Sequence, residues 1–307
     1  MELRHLRYFV TVAESGSVSG AAAKLFIAQP PLSAQIRQLE DEVGAPLLVR
    51  LPRGVRLTPA GVSFLEDARA ILARAQQAAV RARERQAGHR SVLRLGIMPS
   101  GTHSILPGFL KRLAASGLNV QVEVREMIPS SRQLQALRNS EIDLGFIRPG
   151  EDAMPPETVH HIDDPYCLAI PAAHALARAR TPLALKAAAH EAFVSFSRYQ
   201  ESDYYDQTAA LCVEAGFRAD IRHEAGQFIS VLTMVGCGLG LAIVPASCAT
   251  LSPPGVVFRR LTGSRHHSRL VMVRGEQPVH DHWSAQVADA AVAEMKALAS
   301  ALKKAAP

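Results

Sequence analysis

Residues 17–59, SVSGAAAKLFIAQPPLSAQIRQLEDEVGAPLLVRLPRGVRLTP, decide the reading of this chain. They divide into two short helical segments joined by a tight turn, then a basic strand–turn–strand. Ser17 is placed to cap a helix over Val18–Leu25, because a serine hydroxyl accepts one of the unpaired N–H groups that open a helix. Ala21, Ala22 and Ala23 are small enough for a second helix to approach closely. Pro30 and Pro31 suit a first helical turn, where the N–H that proline lacks has no partner. The second helix is therefore predicted from Pro30 to about Val43.

Leu32, Ile36, Leu39 and Val43 recur at spacings of four, three and four, which places them on one stripe. The opposite side carries Pro30, Ser33, Ala34, Arg37 and Asp41, and this side is free to enter a major groove. Gln29 and Ser33 lie near the end that meets base edges, with Pro30, Pro31 and Ala34 beside them; Arg37 can reach a phosphate or a guanine. Leu47–Val49 and Val55–Leu57 flank Leu51-Pro52-Arg53-Gly54, a hairpin bearing Arg50, Arg53 and Arg56 for phosphate or minor-groove contacts. The pattern is a winged helix-turn-helix, and duplex DNA is its expected partner.

Charge supports this. Residues 1–90 carry 13 Lys/Arg against 8 Asp/Glu, while residues 91–307 carry 21 against 20, so the excess cations sit where counterion release needs them. A length of 307 residues and 48% apolar content suit about two folded domains rather than a disordered chain. No signal-peptide pattern precedes the first helix and no 18-residue apolar run suggests a span, so a cytoplasmic protein without membrane contact is expected. Cys167, Cys212, Cys237 and Cys248 lack metal or disulfide spacing and read as buried thiols. The histidines show no ligand spacing; His160-His161 and His266-His267 read as loop or strand-end residues, and no metal or cofactor is expected.

Thr58-Pro59 opens a second type of segment, a helix to about Ala87 interrupted only by Gly61. Phe64/Leu65, Ala68, Ile71/Leu72, Ala75, Ala78/Ala79 and Ala82 repeat at coiled-coil-like spacing. At 1.5 Å per residue it would be roughly 43 Å long. A lone helix cannot bury such a stripe, so pairing with a second copy is expected, presenting two reading helices to a two-fold-related DNA site.

Beyond Gly88-His89-Arg90, short apolar runs alternate with helical stretches: Val92–Ile97, a helix near 103–115, Val120–Arg125, a helix near 130–139, Ile142–Ile147. Tyr166–Ile170, Ala192–Phe196, a helix from about Asp203, Asp220–His223, a helix from Gln227, Leu241–Val244, Leu270–Val273 and a helix near His280–Lys303 continue it. This is an α/β fold, in which ligands sit at strand ends and helix starts. Ser100-Gly101-Thr102, Ser130-Ser131, Arg148, Phe196-Ser197-Arg198, Tyr204 and Gln227 occupy such positions. Arg148 can either neutralise an anion or form a structural salt bridge. Asp163-Asp164-Pro165 reads as a crossover turn. An enzyme would need a nucleophile or cofactor loop, but no GxSxG, P-loop or strand-following GxGxxG is present; Gly236-Cys237-Gly238-Leu239-Gly240 precedes its strand. A ligand-independent DNA binder is the other alternative, and it would leave the large α/β part without a purpose.

MELRHLRYFVTVAESGSVSGAAAKLFIAQPPLSAQIRQLEDEVGAPLLVR, RGVRLTPAG, LGI (95–97), EIDLGF (141–146) and GLGLAIVPAS (238–247) closely resemble the LysR-type transcriptional regulators, and most of all the benzoate/muconate branch. The resemblance implies a winged helix-turn-helix domain (1–58), a linker helix for dimerisation (59–88) and a two-lobed effector domain like a periplasmic binding protein. Lobe I would comprise 91–162 and 266–307, and lobe II 163–265. It implies a tetramer built from dimers with antiparallel linker helices, contact with RNA polymerase, and a small anionic effector, aromatic or dicarboxylic, between the lobes. That branch often carries a threonine in the loop holding Ser130 and Ser131, so either serine can take its role, and an arginine matching Arg148. Where some members of the branch have arginine, this chain has Ala34, so the preferred base there differs.

Overall fold

The computed structural model describes the chain except for Arg53, Ile128, Arg180, Ser252 and residues 87–90, 151–153, 199–203, 263–266, 276–283 and 305–307. Two compact units result: Met1–Arg90 with Arg138–Glu141, and Ser91–Leu137 with Ile142–Pro307.

In the first unit α1 (Leu3–Ser15), α2 (Val18–Leu25) and α3 (Gln29–Val43) enclose Phe9, Leu32 and Leu39, all fully buried. Ser17 Oγ accepts from Gly20 N at 3.0 Å, capping α2 as its sequence requires. α3 starts at Gln29, one residue before Pro30, with both prolines in its first turn. β1 (Leu48–Leu51) and β2 (Gly54–Leu57) form the antiparallel wing. Two contacts seat it. Glu40 Oε1 accepts from Leu47 N at 2.8 Å and Leu48 N at 3.0 Å, tying α3 to the wing. Gly16 O accepts from Val55 N at 2.8 Å, and a Cβ on Gly54 would lie only 2.3 Å from that oxygen.

α4 (Pro59–Gln86) follows, capped by Thr58, whose Oγ1 accepts from Gly61 N at 2.9 Å. Gly61 is explained by packing rather than by helix propensity: a Cβ there would lie 2.0 Å from Leu47 O.

In the second unit β3 (Ser91–Ile97), α5 (Pro99–Ser104), α6 (Leu106–Ala115), β4 (Val120–Glu126), α7 (Ser130–Arg138) and β5 (Leu144–Ile147) form the expected βαβαβ unit, with β3 parallel to β4 and β5. The expected helix near 103–115 is two helices, broken at Ile105. Then come β6 (Thr158–Pro171), β7 (Leu183–Ala184), β8 (Ala192–Phe196), α8 (Tyr204–Glu214), β9 (Asp220–Ala225), α9 (Phe228–Gly236), β10 (Ala242–Pro245), β11 (Val256–Thr262), β12 (His267–Arg274) and α10 (Ser284–Lys304). The large sheet runs β4-β3-β5-β12-β6-β11-β7, with β10 also on β6, and β8 pairs with β9 apart from it.

Two large hydrophobic cores, beside a smaller cluster of Leu137, Ile142, Ile147 and Val273, fill this unit. One gathers Phe109, Phe146, Met272 and Met295; the other gathers Ile170, Phe193, Leu232 and Val244. β6 serves both, giving Ile162 to the first and Tyr166–Ile170 to the second. The expected turn at Asp163-Asp164-Pro165 is therefore replaced by continuous strand. β6 pairs with β12 up to Pro165, with β10 from Tyr166 and with β11 from Cys167, so the proline falls where the ladder changes partner. His160 and His161, expected at a strand end or loop, lie within β6.

Gly61→Ala tests the α4–wing seating. In an ordinary helix this change stabilises by up to about 1 kcal/mol. Here overpacking against Leu47 should reverse the sign and cost roughly 1–3 kcal/mol, read as a lower melting temperature by circular dichroism. A higher melting temperature would show that the close approach is not enforced.

Candidate functional site

A cavity of about 270 Å³ opens between two walls of the second unit. Met98, Ser100, Ser130 and Ser131, from the start of α5 and α7, line one wall; Phe196, Tyr204, Gln227 and Phe228, from the end of β8 and the starts of α8 and α9, line the other. The Phe228 ring lies tilted 5.2 Å from that of Phe196 and meets Tyr204 edge-on at 4.9 Å, so three rings form an apolar end. Tyr204 Oη donates to Ile243 O at 2.6 Å, and burial pushes its pKa well up, which fixes it as a neutral donor.

The polar end is organised by Arg148, just after β5. Its Nη2 lies 2.6 Å from Asp164 Oδ2 and donates to Ser247 Oγ at 2.8 Å; Nη1 donates to Ser268 Oγ at 2.8 Å and Nε to Ser100 Oγ at 3.3 Å. Asp164 Oδ1 also accepts from Ser247 N at 2.9 Å. The Asp164 side chain has no solvent exposure and that of Arg148 only 11%. Burial is the largest single influence and opposes the guanidinium charge, yet the groups facing it, Asp164 first among them, together hold the Arg148 pKa above its ordinary value. Of the two roles open to Arg148, the structural salt bridge is therefore filled. Among the described lining residues the cavity's polar wall then carries no net charge. Because Ser100 and Ser268 accept from the guanidinium, both keep their own protons to donate. Ser130 Oγ donates to Arg148 O at 2.7 Å.

α7 is set over this end by Gln133, which is fully buried and donates to Met127 O and Phe146 O, both at 3.2 Å. A Cβ at Gly96 or Gly145 would lie 2.9 or 3.3 Å from Gln133 Oε1, so the two glycines leave room for the amide.

The structure thus brings together Ser100, Ser130, Ser131, Arg148, Phe196, Tyr204 and Gln227. Four sequence-selected residues are not among the lining. Gly101 packs on Ile97 and Met98, and Thr102 turns toward Glu126, with Oγ1 at 3.3 Å from Oε1. Ser197 continues β8's pairing through its N–H to Ala225 O, and Arg198 lies outward, 3.5 Å from Asp206 and over the Tyr205 ring. Sequence reading missed Gln207, Phe228 and Ser268 in the lining and Asp164 and Ser247 behind it. Phe228 directly follows Gln227 in an apolar helix start and was within reach; Ser268 is 120 residues from Arg148 and carries no local signal.

In the first unit, Gln29, Pro30, Pro31, Ala34 and Arg37 are exposed on α3 and Ser33 is half-buried. Arg50 stands opposite Val55 and Arg56 opposite Val49, so Arg50 and Arg56 project from opposite faces of the wing. Arg53 lies outside the described residues. Cys167, Cys212 and Cys248 are buried, with burial raising all three thiol pKa values, that of Cys212 to about 11; Cys237 is exposed, contrary to expectation. Among the described residues no group of His, Cys, Asp and Glu is placed to hold a metal, and no helix is long and apolar enough to cross a membrane.

Asp164→Ala should leave a buried, unanswered cation and cost roughly 3–5 kcal/mol in urea unfolding of the α/β unit. Pairing Arg148→Met with Asp164→Leu should recover most of that loss. A cost below about 1 kcal/mol for Asp164→Ala would show that the pair does not hold the two cores together.

Residues 3–62 match the family described as "Bacterial regulatory helix-turn-helix protein, lysR family", and residues 86–295 match "LysR substrate binding domain". The regulator AlsR of Bacillus subtilis (strain 168) is 35% identical over 265 residues, covering 85% of this chain and 86% of AlsR. CatR of Pseudomonas putida is 33% identical over 276 residues, covering 89% and 93%. Among solved structures, CbnR complexed with its target DNA is 28% identical with a TM-score of 0.52, covering 97% of this chain and 100% of CbnR. A full-length BenM mutant is 27% identical with a TM-score of 0.56, covering 98% and 97%. With both parts of the chain matched, and matched to regulators rather than enzymes, the protein belongs to the LysR family of bacterial transcriptional regulators.

Proposed function

We propose that the cavity is the effector site and that its occupant is a small monocarboxylate with an aromatic or other apolar body. The observation that carries this is its polarity: hydroxyl donors aligned by Arg148 at one end, three rings at the other. A dicarboxylate is disfavoured, because Arg148 is the one cation among the described lining residues and Asp164 already answers it. Ser100, Ser130, Ser131, Tyr204, Gln227 and Phe196 contact the effector directly, and Arg148 acts through Ser100 and Ser268.

Gln29, Pro30, Pro31, Ser33, Ala34 and Arg37 enter the major groove, and Arg50 and Arg53 neutralise phosphates. The working division is 1–58 for DNA, 59–88 for dimerisation, and lobes of 91–162 with 266–307 and of 163–265. The protein acts in the cytoplasm as a dimer or tetramer on a two-fold-related operator, bends that DNA and contacts RNA polymerase. Effector binding shifts an equilibrium between forms that hold the reading helices differently.

The test is thermal stability of the full chain against benzoates, other monocarboxylates and muconate. A native-state ligand at about 100 times its Kd stabilises by roughly 2.7 kcal/mol, a shift of a few degrees. Monocarboxylates should produce it, and Gln227→Ala and Ser100→Ala should abolish it while leaving DNA binding intact. No shift with any carboxylate, or an undiminished shift in both variants, would reject the assignment.

A further inference from the structure

Phe26 ends α2 in the left-handed backbone region, at φ 57° and ψ 39°, with 95% of its surface exposed. Both facts are unfavourable for phenylalanine. A bulky side chain is rare at positive φ, where glycine or asparagine sits with less strain, and an exposed ring leaves its apolar area in water. The backbone conformation itself is required. Phe26 N donates to Ala22 O and Ala23 O, and Ile27 N donates to Ala22 O, closing α2 before the turn into α3. Leu25 and Ile27 pack inward on either side, which sends Phe26 outward. The fold explains the turn but not the choice of residue.

Position supplies the reason. Phe26 precedes Gln29 by three residues, a reach of at most about 11 Å, and the surface is exposed from Ala28 through Pro31. A duplex that receives the start of α3 in its major groove therefore passes within reach of the ring. We propose that Phe26 is a DNA-contacting residue whose ring packs on the apolar edge of the duplex, thymine methyls and deoxyribose carbons, beside the polar readout from α3. The inference rests on the DNA-reading role assigned to α3.

Phe26→Asn and Phe26→Ala in the full chain test it. The probe is a labelled duplex recovered from random-sequence DNA by selection with the wild-type chain, and affinity is read by fluorescence anisotropy. Because asparagine tolerates the left-handed turn, Phe26→Asn should melt at or above the wild-type temperature and keep the wild-type oligomeric state by light scattering. It should nonetheless bind the duplex roughly five- to tenfold more weakly. Stability and DNA affinity thus move apart, which a packing role would not allow. Unchanged affinity in both variants would overturn the proposal. So would weaker binding accompanied by a lower melting temperature or an altered oligomer, which would place Phe26 between protein copies. If the wild-type chain enriches no sequence, the role of α3 fails first and this inference fails with it.

Discussion

A buried guanidinium must have its charge and its donors answered, and in the effector unit one such group sets the architecture. Arg148 leaves the end of β5 and is met by Asp164 on β6, Ser247 after β10, Ser268 on β12 and Ser100 on α5. These elements come from both hydrophobic cores, which share β6 as a common spine. The pair is costly to desolvate and is held by hydrogen bonds from Arg148 to four side chains rather than by Coulomb attraction alone. Its position makes it more than a staple, because two of the serines that satisfy Arg148 also face the cavity.

The DNA-reading unit follows the same logic with weaker bonds. Glu40 anchors the start of the wing to α3, Gly16 O takes the Val55 N–H, and Thr58 joins the first turn of α4 to Pro46. α3, the wing and α4 are thereby placed by three short-range contacts around one small core. Gly54 and Gly61 are fixed by the same approach of backbone to backbone.

Local elements were legible in the sequence because their signals are local. Ser17, Pro30 and Pro31, Thr58-Pro59 and the four-three-four apolar spacing of α3 each act within a turn or two, and the helices they mark form at those positions. The glycines of the LGI and DLGF motifs were visible, yet their reason was not, since Gln133 reaches them from a separate helix. Asp163-Asp164-Pro165 misled for a related cause: composition said turn, whereas tertiary pairing with Arg148 and β12 made strand. Most cavity residues at strand ends and helix starts could be named in advance. Ser268, Ser247 and the role of Asp164 depend on contacts across 16 to 120 residues, and no periodicity reports those.

A cavity whose floor joins both cores is suited to convert occupancy into a change elsewhere in the chain, and such coupling must be reciprocal. The decisive measurement is calorimetric affinity of the full-length protein for a stabilising monocarboxylate, taken free and bound to its selected DNA. A regulator of this kind should show ligand affinity changed on DNA by the same factor as the ligand changes DNA affinity, on the order of five-fold or more. Equal ligand affinity in the two states would mean that the cavity does not govern the reading of DNA.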